Sequence, residues 1–481
     1  MNTITIAWVA LPFFVGFLIY LLPRLDRSLS LLTALTSIGY GSWLCFHDPF
    51  TLTLLDNFGV TLEADETSGF FILTNALVTL AVVIYCWDTD KNAFFYTQIV
   101  ILYGTVNATF ICSDFVSLYV ALEVLSIAAF LAIVYPRSNR TIWVGLRYLF
   151  ISNVAMLFFL IGAVLVYQAN HSFSFAGLRA APPEALALIF VGLLVKGGVF
   201  VSGLWLPLTH SESDTPVSAM LSGVAVKSGI FPLLRCAIVV PEIDPVVRIF
   251  GVCTALLGVF YAVFEKDAKR MLAFHTVSQL GFILAAPEVG GFYALTHGLV
   301  KSALFLCTGT LPTRNLKELQ KQPIATPLWI ALAIASFSIS GFPLLAGFGA
   351  KVLTMKNLQQ WQVIGMNLAA LGTAISFAKF IFVPHQWGIE TQKSRPGFWI
   401  AVIILLLGLI GANVAYYDAY NLENTIKPLA TIALGWLAYW LIFKRLNVKW
   451  PRVPEQFDHL IGGMSLILIL LFWMGFAWLD I

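Results

Sequence analysis

The sequence predicts an all-helical integral membrane protein with about 14–16 transmembrane helices. Three observations support this fold class. Hydrophobic residues make up 59% of the 481 residues and charged residues only 11%, with a mean hydropathy of +0.86, a composition that excludes a soluble globular protein. Apolar segments of about 20 residues, the length that crosses a bilayer, recur along the whole chain. Prolines, glycines and single charged residues interrupt two of these segments, a pattern typical of transporters.

Sixteen apolar segments are candidate spans. They lie near 3–22, 29–46, 68–87, 94–112, 114–135, 144–168, 185–206, 216–238, 245–264, 270–287, 290–311, 326–355, 361–383, 396–417, 426–443 and 459–479. Span 7 is followed by a Pro-bounded polar stretch at 207–216, so we expect helix 7 to be broken there. Span 12 is long and contains GFP and AGFGAK, which predicts a second broken helix.

Weak internal symmetry divides the chain. Aligning Ser126 with Ser278 places Glu123 against His275, and span 7 then corresponds to span 12. We therefore predict two inverted five-helix repeats, spans 4–8 and 9–13, whose half-channels meet near the bilayer midplane. The predicted regions are an N-terminal three-helix segment (1–92), the two five-helix repeats (93–240 and 241–385) and C-terminal helices (386–481).

Several functions are excluded by what the sequence does not contain. The net charge of +3 argues against a nucleic-acid partner. The cysteines have no CxxC or metal-ligand spacing, so we expect no metal site. No GxGxxG or P-loop opens a strand–helix unit, and we expect no cofactor in this chain.

Glu123 in span 5 and Lys196 in span 7 are the first candidate functional residues. An ionisable side chain at bilayer depth costs about 2.5–3.5 kcal/mol to insert and is functional by default. Burial of either group alone favours its neutral form, whereas pairing favours both charged forms. A pair that forms and separates can therefore take up and release a proton. The alternatives are a structural carboxylate at Glu123 and a Lys196 side chain that extends to an interface.

Two further lysines lie deep in later spans. Lys227 is eleven residues into span 8, too deep for its ammonium group to extend easily to an interface. Lys351 follows the Gly-rich interruption of span 12 and is the predicted terminal proton site.

Spans 10 and 11 each carry a pair of polar residues. His275 and Gln279 are four residues apart in span 10, and His297 and Lys301 have the same spacing in span 11, so each pair shares one helical face. Because histidine exchanges protons near neutral pH, the two faces can form a proton path. The alternative is that each histidine is only hydrogen-bonded to a neighbouring helix.

The remaining polar residues give weaker signals. His210 lies in the polar stretch with Glu212 and Asp214, where the three can line an access to the path. Lys379 lies near the end of span 13 and is expected either to take part or to extend to the interface. Four charged residues near span ends are expected to cap or anchor helices: Asp65, Asp114, Arg147 and Arg235.

Five segments resemble a known family. They are SDFVSLYVALEVLSI, LVKGGVFVSGLWLP, TPVSAMLSGVAVKSGIFPLLR, DAKRMLAFHTVSQLGFI and LTHGLVKSALFLCTG, which together span roughly residues 60–380. They are similar to the antiporter-like membrane subunits shared by Mrp-type cation/proton antiporters, respiratory complex I and photosynthetic NAD(P)H–quinone oxidoreductases. The resemblance implies that Glu123 and Lys196 form a switching pair. It implies the remaining roles as follows: Lys227 as the bridging lysine, His297 and Lys301 as the central polar positions, and Lys351 as the terminal residue.

Departures from the pattern distinguish two subfamilies. The chain 4 type of the quinone oxidoreductases usually has glutamate where this sequence has Lys351, and histidine where it has Gln279. Both positions favour the D-type component of Mrp antiporters. The stretch HSESDTPVSA contains less proline than the Mrp D type usually does, and the two extra C-terminal spans fit neither subfamily.

The resemblance implies two functions. The first is a proton-translocating subunit of a multi-subunit Na⁺/proton antiporter. The second is a chain 4-like proton-pumping membrane subunit of an NAD(P)H–quinone oxidoreductase, which would make the chain part of an enzyme. Either one implies other membrane subunits as partners, H⁺ as a transported ion, and a bacterial cytoplasmic or thylakoid membrane. The first also implies Na⁺. A third alternative is an assembly scaffold, which has no reason to keep five costly charges in lipid.

Overall fold

The computed structural model describes residues 2–55, 59–389, 395–446, 448 and 450–478. Helices dominate, because backbone groups in lipid must find their hydrogen-bond partners within the same segment. The helices are α1 Asn2–Leu21, α2 Asp26–Leu44, α3 Glu66–Tyr85, α4 Ala93–Thr109, α5 Phe115–Ile133, α6 Asn139–Asn170, α7 Pro183–Lys196, α8 Leu206–Glu212, α9 Thr215–Met220, α10 Lys227–Val239, α11 Asp244–Phe264, α12 Ala268–Leu284, α13 Gly290–Gly309, α14 Leu316–Leu319, α15 Thr326–Ser340, α16 Ala346–Lys356, α17 Val363–Ile381, α18 Pro396–Ala415, α19 Leu422–Ala438 and α20 Phe457–Trp478. The strands are β1 Phe50–Leu55, β2 Gly59–Ala64, β3 Ile324–Ala325 and β4 His385–Gln386.

The helical membrane architecture predicted from the sequence is confirmed. In the part of the chain that is described, twelve helical segments are long and apolar enough to cross a membrane. The four other predicted spans coincide with helices that are shorter or more polar: α2, α4, α12 and the α15–α16 pair. All sixteen predicted spans begin within a few residues of a helix start.

The break in helix 7 lies earlier than predicted. α7 ends at Lys196, residues 197–199 leave the helix, and a 3-10 segment, Phe200–Trp205, leads directly into α8. The expectation of a break at 207–216 was wrong, because most of those residues form α8 and the start of α9. Gly198 adopts φ +65°, a conformation that only glycine takes without strain. Pro207 and Pro216 lie in the first turns of α8 and α9, where a backbone N–H has no partner within the helix, so they do not interrupt the helix.

The second break, predicted within span 12, is confirmed at 341–345. α15 ends at a left-handed Gly341 (φ +84°), and α16 begins at Ala346. Each break therefore has a left-handed glycine followed by a bulky residue with positive φ: Phe200 (φ 53°) in the first and Leu344 (φ 74°) in the second. The inverted repeats and the region boundaries remain predictions.

The centre of the bundle is formed by the segment 215–239 and by α13. All of the first segment's apolar window is buried, and 94% of that around α13, whereas only 17% is buried around α19. α13 packs against α3, α9, α12, α15, α16 and α18. Titratable residues on α13 and on 215–239 are therefore enclosed by protein.

The predicted caps and one predicted anchor are present. The Asp65 carboxylate accepts from Ser68 N at 2.8 Å, and the Asp114 carboxylate accepts from Ser117 N at 2.7 Å, so that α3 and α5 are both capped. Arg235 donates to the same Asp65 carboxylate at 2.6 Å and anchors α10 to α3.

Candidate functional site

Lys196 is the last residue of α7 and is 5% exposed. Its ammonium donates to Ser152 Oγ at 2.8 Å and to Ser126 Oγ. Ser126 lies three residues after Glu123 on α5, which places the two on neighbouring positions of one helical face. Glu123 Oε1 is buried and has no hydrogen-bond partner among the described residues, although the two charges interact electrostatically. In this structure Lys196 is thus bound to Ser126, one turn from Glu123 on α5, and to Ser152 on α6, and not to Glu123 itself.

The first break is fixed by hydrogen bonds to the carbonyl groups that α7 leaves unpaired at its end. Ser202 Oγ donates to Leu194 O at 3.0 Å, and Trp205 Nε1 donates to Val195 O at 3.0 Å. Phe200 N donates to Thr254 Oγ1 of α11 at 3.0 Å. The break is therefore ordered, and α11 contributes to that order.

Lys227 is fully buried at the end of a π-helical turn, Leu221–Ala225. Its ammonium donates to Gly223 O at 2.5 Å and to Ser222 O at 3.2 Å. The π turn displaces the usual i−4 hydrogen bonds, and such turns are frequent at functional sites. A Cβ placed on Gly298 of α13 would lie 3.6 Å from Lys227 Nζ, so the ammonium faces α13.

The helices that carry Lys196 and Lys227 are in direct contact. A Cβ on Gly229 of α10 would lie 2.3 Å from Gly197 N, so this close approach requires glycine at position 229. The C-terminal end of α7, which carries Lys196, therefore lies against the first turn of α10, which carries Lys227.

α13 carries His297 and Lys301 one turn apart, with 2% and 0% exposure. The Lys301 ammonium donates to the carbonyl of Leu272 on α12. Both ring nitrogens of His297 are buried and have no hydrogen-bond partner in the described part of the chain. His297 interacts electrostatically with Lys227, Lys301 and His275, which links the centre of the bundle to α12.

His275 and Gln279 lie on one face of α12, as predicted from their spacing. Gln279 accepts a hydrogen bond from the Tyr293 hydroxyl at 2.6 Å and donates to Thr373 Oγ1 at 3.4 Å. His275 packs against the Phe377 ring with centroids 4.6 Å apart. Both of its ring nitrogens are buried and unpartnered among the described side chains and backbone.

Lys351 lies on α16, just after the second break. Its Nζ is buried, has no hydrogen-bond partner in the described ranges, and lies 5.5 Å from the centroid of the Phe282 ring. Phe282 belongs to α12, so Lys351 faces that helix directly; Phe282 also stacks on Tyr293 of α13 at 5.7 Å, and the Tyr293 hydroxyl donates to Gln279. A Cβ on Gly341 would lie 2.8 Å from Lys351 Cδ, so the glycine leaves room for this side chain.

His210, Glu212 and Asp214, the residues of the predicted access stretch, lie in different environments. His210 is fully buried in α8, its ring stacked on Phe305 at 5.0 Å, and it interacts electrostatically with Lys301. Glu212 and Asp214 are partly exposed. They form ion pairs with other elements: Glu212 with Arg140 at 3.5 Å and Asp214 with Lys91 at 2.5 Å. Of the three, His210 is buried, whereas the two carboxylates are partly exposed, and an access lined by them stays a prediction.

Some residues that contact the candidate site residues were not predicted from the sequence. Ser126 has a detectable signal, because it stands at i+3 from Glu123, whereas Ser152 is on another helix and has none. Tyr293 stands at i−4 from His297, again a helical spacing. Lys379, by contrast, donates to three carbonyls at the end of α11 at 2.7–3.1 Å and therefore caps that helix.

The arrangement is suited to proton exchange. Within the described ranges, no group of three or more His, Cys, Asp or Glu side chains is placed to hold a metal ion. What the interior contains is a series of titratable groups carried by α5, α7, α10, α13, α12 and α16. Buried polar groups are costly when unpaired, so their presence requires a functional explanation.

The fold and this series define a multi-pass integral membrane protein with ionisable groups along its core. The chain belongs to the family described as NADH:quinone oxidoreductase/Mrp antiporter, TM, which matches residues 112–376. The matched region contains every candidate residue from Glu123 to Lys351.

Individual relatives extend the similarity beyond that region. The D-type component of the Na(+)/H(+) antiporter of Alkalihalophilus pseudofirmus is 26% identical over 89% of this chain and 98% of its own length. The N-type component of the NADH-quinone oxidoreductase of Desulforudis audaxviator is 28% identical over 79% of this chain and 85% of its own. A protein in the structure of the Mrp complex from Dietzia sp. has the same fold, with a TM-score of 0.72 and 20% identity over 98% of this chain and 100% of that one.

Proposed function

We propose that this chain is the proton-translocating subunit of a multi-subunit Mrp-type antiporter that exchanges protons for Na⁺. The observation that supports the proposal is the series of buried titratable side chains from Glu123 to Lys351. Except for the partly exposed Glu123, these side chains are enclosed in the protein. Ionisable groups enclosed at membrane depth are typical of proton paths.

The first step is an exchange of partners at Lys196. In the structure its ammonium donates to Ser126 and Ser152, and Glu123 Oε1 has no hydrogen-bond partner among the described residues. When Lys196 Nζ moves to the Glu123 carboxylate, one turn along α5, pairing favours the charged form of both groups. When the pair separates, the buried ammonium is left without a counter-charge and gives up its proton toward Lys227.

The following steps run through α13 and α12. His297 lies in the electrostatic field of both Lys227 and Lys301, and neither of its ring nitrogens has a hydrogen-bond partner among the described residues. A neutral imidazole accepts a proton at one nitrogen and releases one from the other. His275 continues the path on α12, and Lys351, whose ammonium is unpartnered in the described ranges, is the terminal site.

Two considerations support the Mrp-type assignment. The D-type antiporter relative is matched over 98% of its length, and Gln279 and Lys351 are the residues that the resemblance favours for that type. We propose that the partners are other membrane subunits of a hetero-oligomeric assembly in a bacterial cytoplasmic membrane. Na⁺ is the proposed counter-ion, since the relative belongs to a Na(+)/H(+) antiporter.

The second candidate is a proton-pumping membrane subunit of an NAD(P)H–quinone oxidoreductase. The specific support is the N-type oxidoreductase relative, which is 28% identical and matched over 85% of its length. In that case redox chemistry in partner chains drives protons along the same series of side chains. The location is then a bacterial cytoplasmic or a thylakoid membrane.

Isolation of the native assembly separates the candidates. The complex is purified through a tag on this chain, its subunits are identified by mass spectrometry, and proton flux is followed with a pH-sensitive dye in everted vesicles. Co-purifying small hydrophobic subunits and Na⁺-dependent flux support the antiporter. Iron–sulfur subunits with NAD(P)H-dependent, Na⁺-independent flux overturn it in favour of the oxidoreductase. A complex without either flux indicates a scaffold.

A further inference from the structure

The C-terminal helices connect distant parts of the bundle. α19 packs against α17, whereas α20 packs against α7 and the 3-10 segment Phe200–Trp205. The segment between α19 and α20 therefore extends from one side of the bundle to the helix that carries Lys196. Glu455, two residues before α20, is the buried charge among the described residues of that segment, with 7% exposure.

Glu455 is attached to α12 by an ion pair. Arg270, in the first turn of α12, donates through Nη2 to the Glu455 carboxylate and through Nε to Glu265 Oε2 at 3.1 Å. Burial raises the pKa of the Glu455 carboxyl, an effect that the Arg270 guanidinium opposes. Removing one partner from a buried pair is strongly destabilising, so Arg270 fixes the position of Glu455.

Arg147 of α6 attaches the same residue to the first break. Its Nη1 donates to Glu455 O at 2.6 Å, and its Nη2 donates to Trp205 O at 3.3 Å. Trp205 in turn donates through Nε1 to Val195 O at 3.0 Å, across the break and next to Lys196. A continuous series of hydrogen bonds therefore runs from α12 through the C-terminal segment to the end of α7.

We infer that Arg147, Arg270 and Glu455 form a clasp that sets the geometry of the first break and thereby positions Lys196. Phe200 in the break has φ 53°, a strained conformation for a bulky residue, and such strain persists only where the surroundings enforce it. The clasp supplies that constraint from the far end of the chain. The three residues are positioning residues, and their link to transport depends on the proposed function above.

Amide hydrogen exchange tests the clasp without any assumption about transport. The variant Glu455→Ala is compared with wild type in the full complex, and Glu423→Ala is the matched control, because Glu423 is an exposed C-terminal residue paired with Lys427. Exchange in residues 197–206 should be about tenfold faster in Glu455→Ala, the factor expected for losing one charge-assisted hydrogen bond. It should be unchanged in Glu423→Ala. Unchanged exchange in both variants overturns the clasp.

Proton flux in vesicles tests its consequence for Lys196. We expect Glu455→Ala to lower the flux and to move the midpoint of its pH profile, since the environment of Lys196 changes, whereas a loss of folded protein alone lowers the flux without moving the midpoint. A lowered flux with an unmoved midpoint overturns the positioning role. If Glu455→Ala does not assemble, Arg147→Met decides, because methionine keeps an unbranched side chain but has no donor for the carbonyls of Glu455 and Trp205: faster exchange at 197–206 supports the clasp and wild-type exchange overturns it. Absence of flux in wild type contradicts the proposed function and leaves the exchange test of the clasp intact.

Discussion

The ammonium of Lys196 is hydrogen-bonded to the hydroxyl of Ser126, on the helix face that also carries Glu123. The lysine therefore has two possible partners on one helix, a neutral hydroxyl and a carboxylate one turn away. A short side-chain movement selects between them. This geometry gives the proposed switch its two states.

The serines define the first prediction. In a Ser126→Ala, Ser152→Ala double variant the ammonium loses both hydroxyl acceptors, so Lys196 stays on Glu123 and the cycle stalls. We expect Na⁺-dependent proton flux to fall by at least about tenfold, the effect of one strong charged hydrogen bond. The control is Ser465→Ala on the exposed face of α20, where the hydroxyl bonds only its own helix. Equal flux in both variants would refute the two-state geometry.

Lys227 provides the second prediction. Its ammonium is bound by two carbonyls of the π turn and faces α13. Lys227→Gln keeps a hydrogen-bond donor but cannot carry a proton, so flux should be lost while the complex still assembles. Lys427→Gln, an exposed lysine on α19, is the matched control. Retention of more than about half of the wild-type flux in Lys227→Gln would exclude it from the path.

Lys351 provides the third prediction, at the other end of the series. Lys351→Ala should block proton release and abolish net flux without altering complex levels, because the side chain has no hydrogen-bond partner to lose in the described part of the structure. Lys356→Ala, five residues later on the exposed end of α16, is the control. If the two variants transport equally well, Lys351 is not the terminal site.

Gly198 provides a prediction about stability. An alanine there has to adopt φ +65°, and its Cβ would lie 2.5 Å from Leu206 Cδ1. We expect Gly198→Ala to destabilise the purified complex by about 1–3 kcal/mol, measured as a lower thermal unfolding midpoint. Gly411→Ala in α18, where no atom lies within 4 Å of the added carbon, should be neutral or slightly stabilising. The opposite order of the two midpoints would contradict the described break.

The lengths of the hydrophobic segments made most of the helical architecture predictable from the sequence. The spans followed from runs of about 20 apolar residues, because bilayer thickness dictates helix length. The second break was found from GFP and AGFGAK. The first was misplaced because the prolines at 207 and 216 start helices rather than end them, and the informative residue was Gly198. Helical spacing also paired His275 with Gln279 and His297 with Lys301 correctly.

Contacts between distant segments could not be predicted. Ser152 meets Lys196 only because α6 packs against α7, and nothing in the local pattern of either helix indicates it. The Arg270–Glu455 pair joins residues 185 positions apart. Neither contact leaves a period or motif in the sequence, since helix packing alone determines which faces meet.

The most direct test of the central claim is proton flux in everted vesicles that contain Glu123→Gln, with complex levels matched to wild type. Glutamine keeps the size and hydrogen-bonding capacity of the side chain but cannot take the charge that pairs with Lys196. The account predicts that Na⁺-dependent proton flux disappears. Wild-type flux in this variant would contradict it.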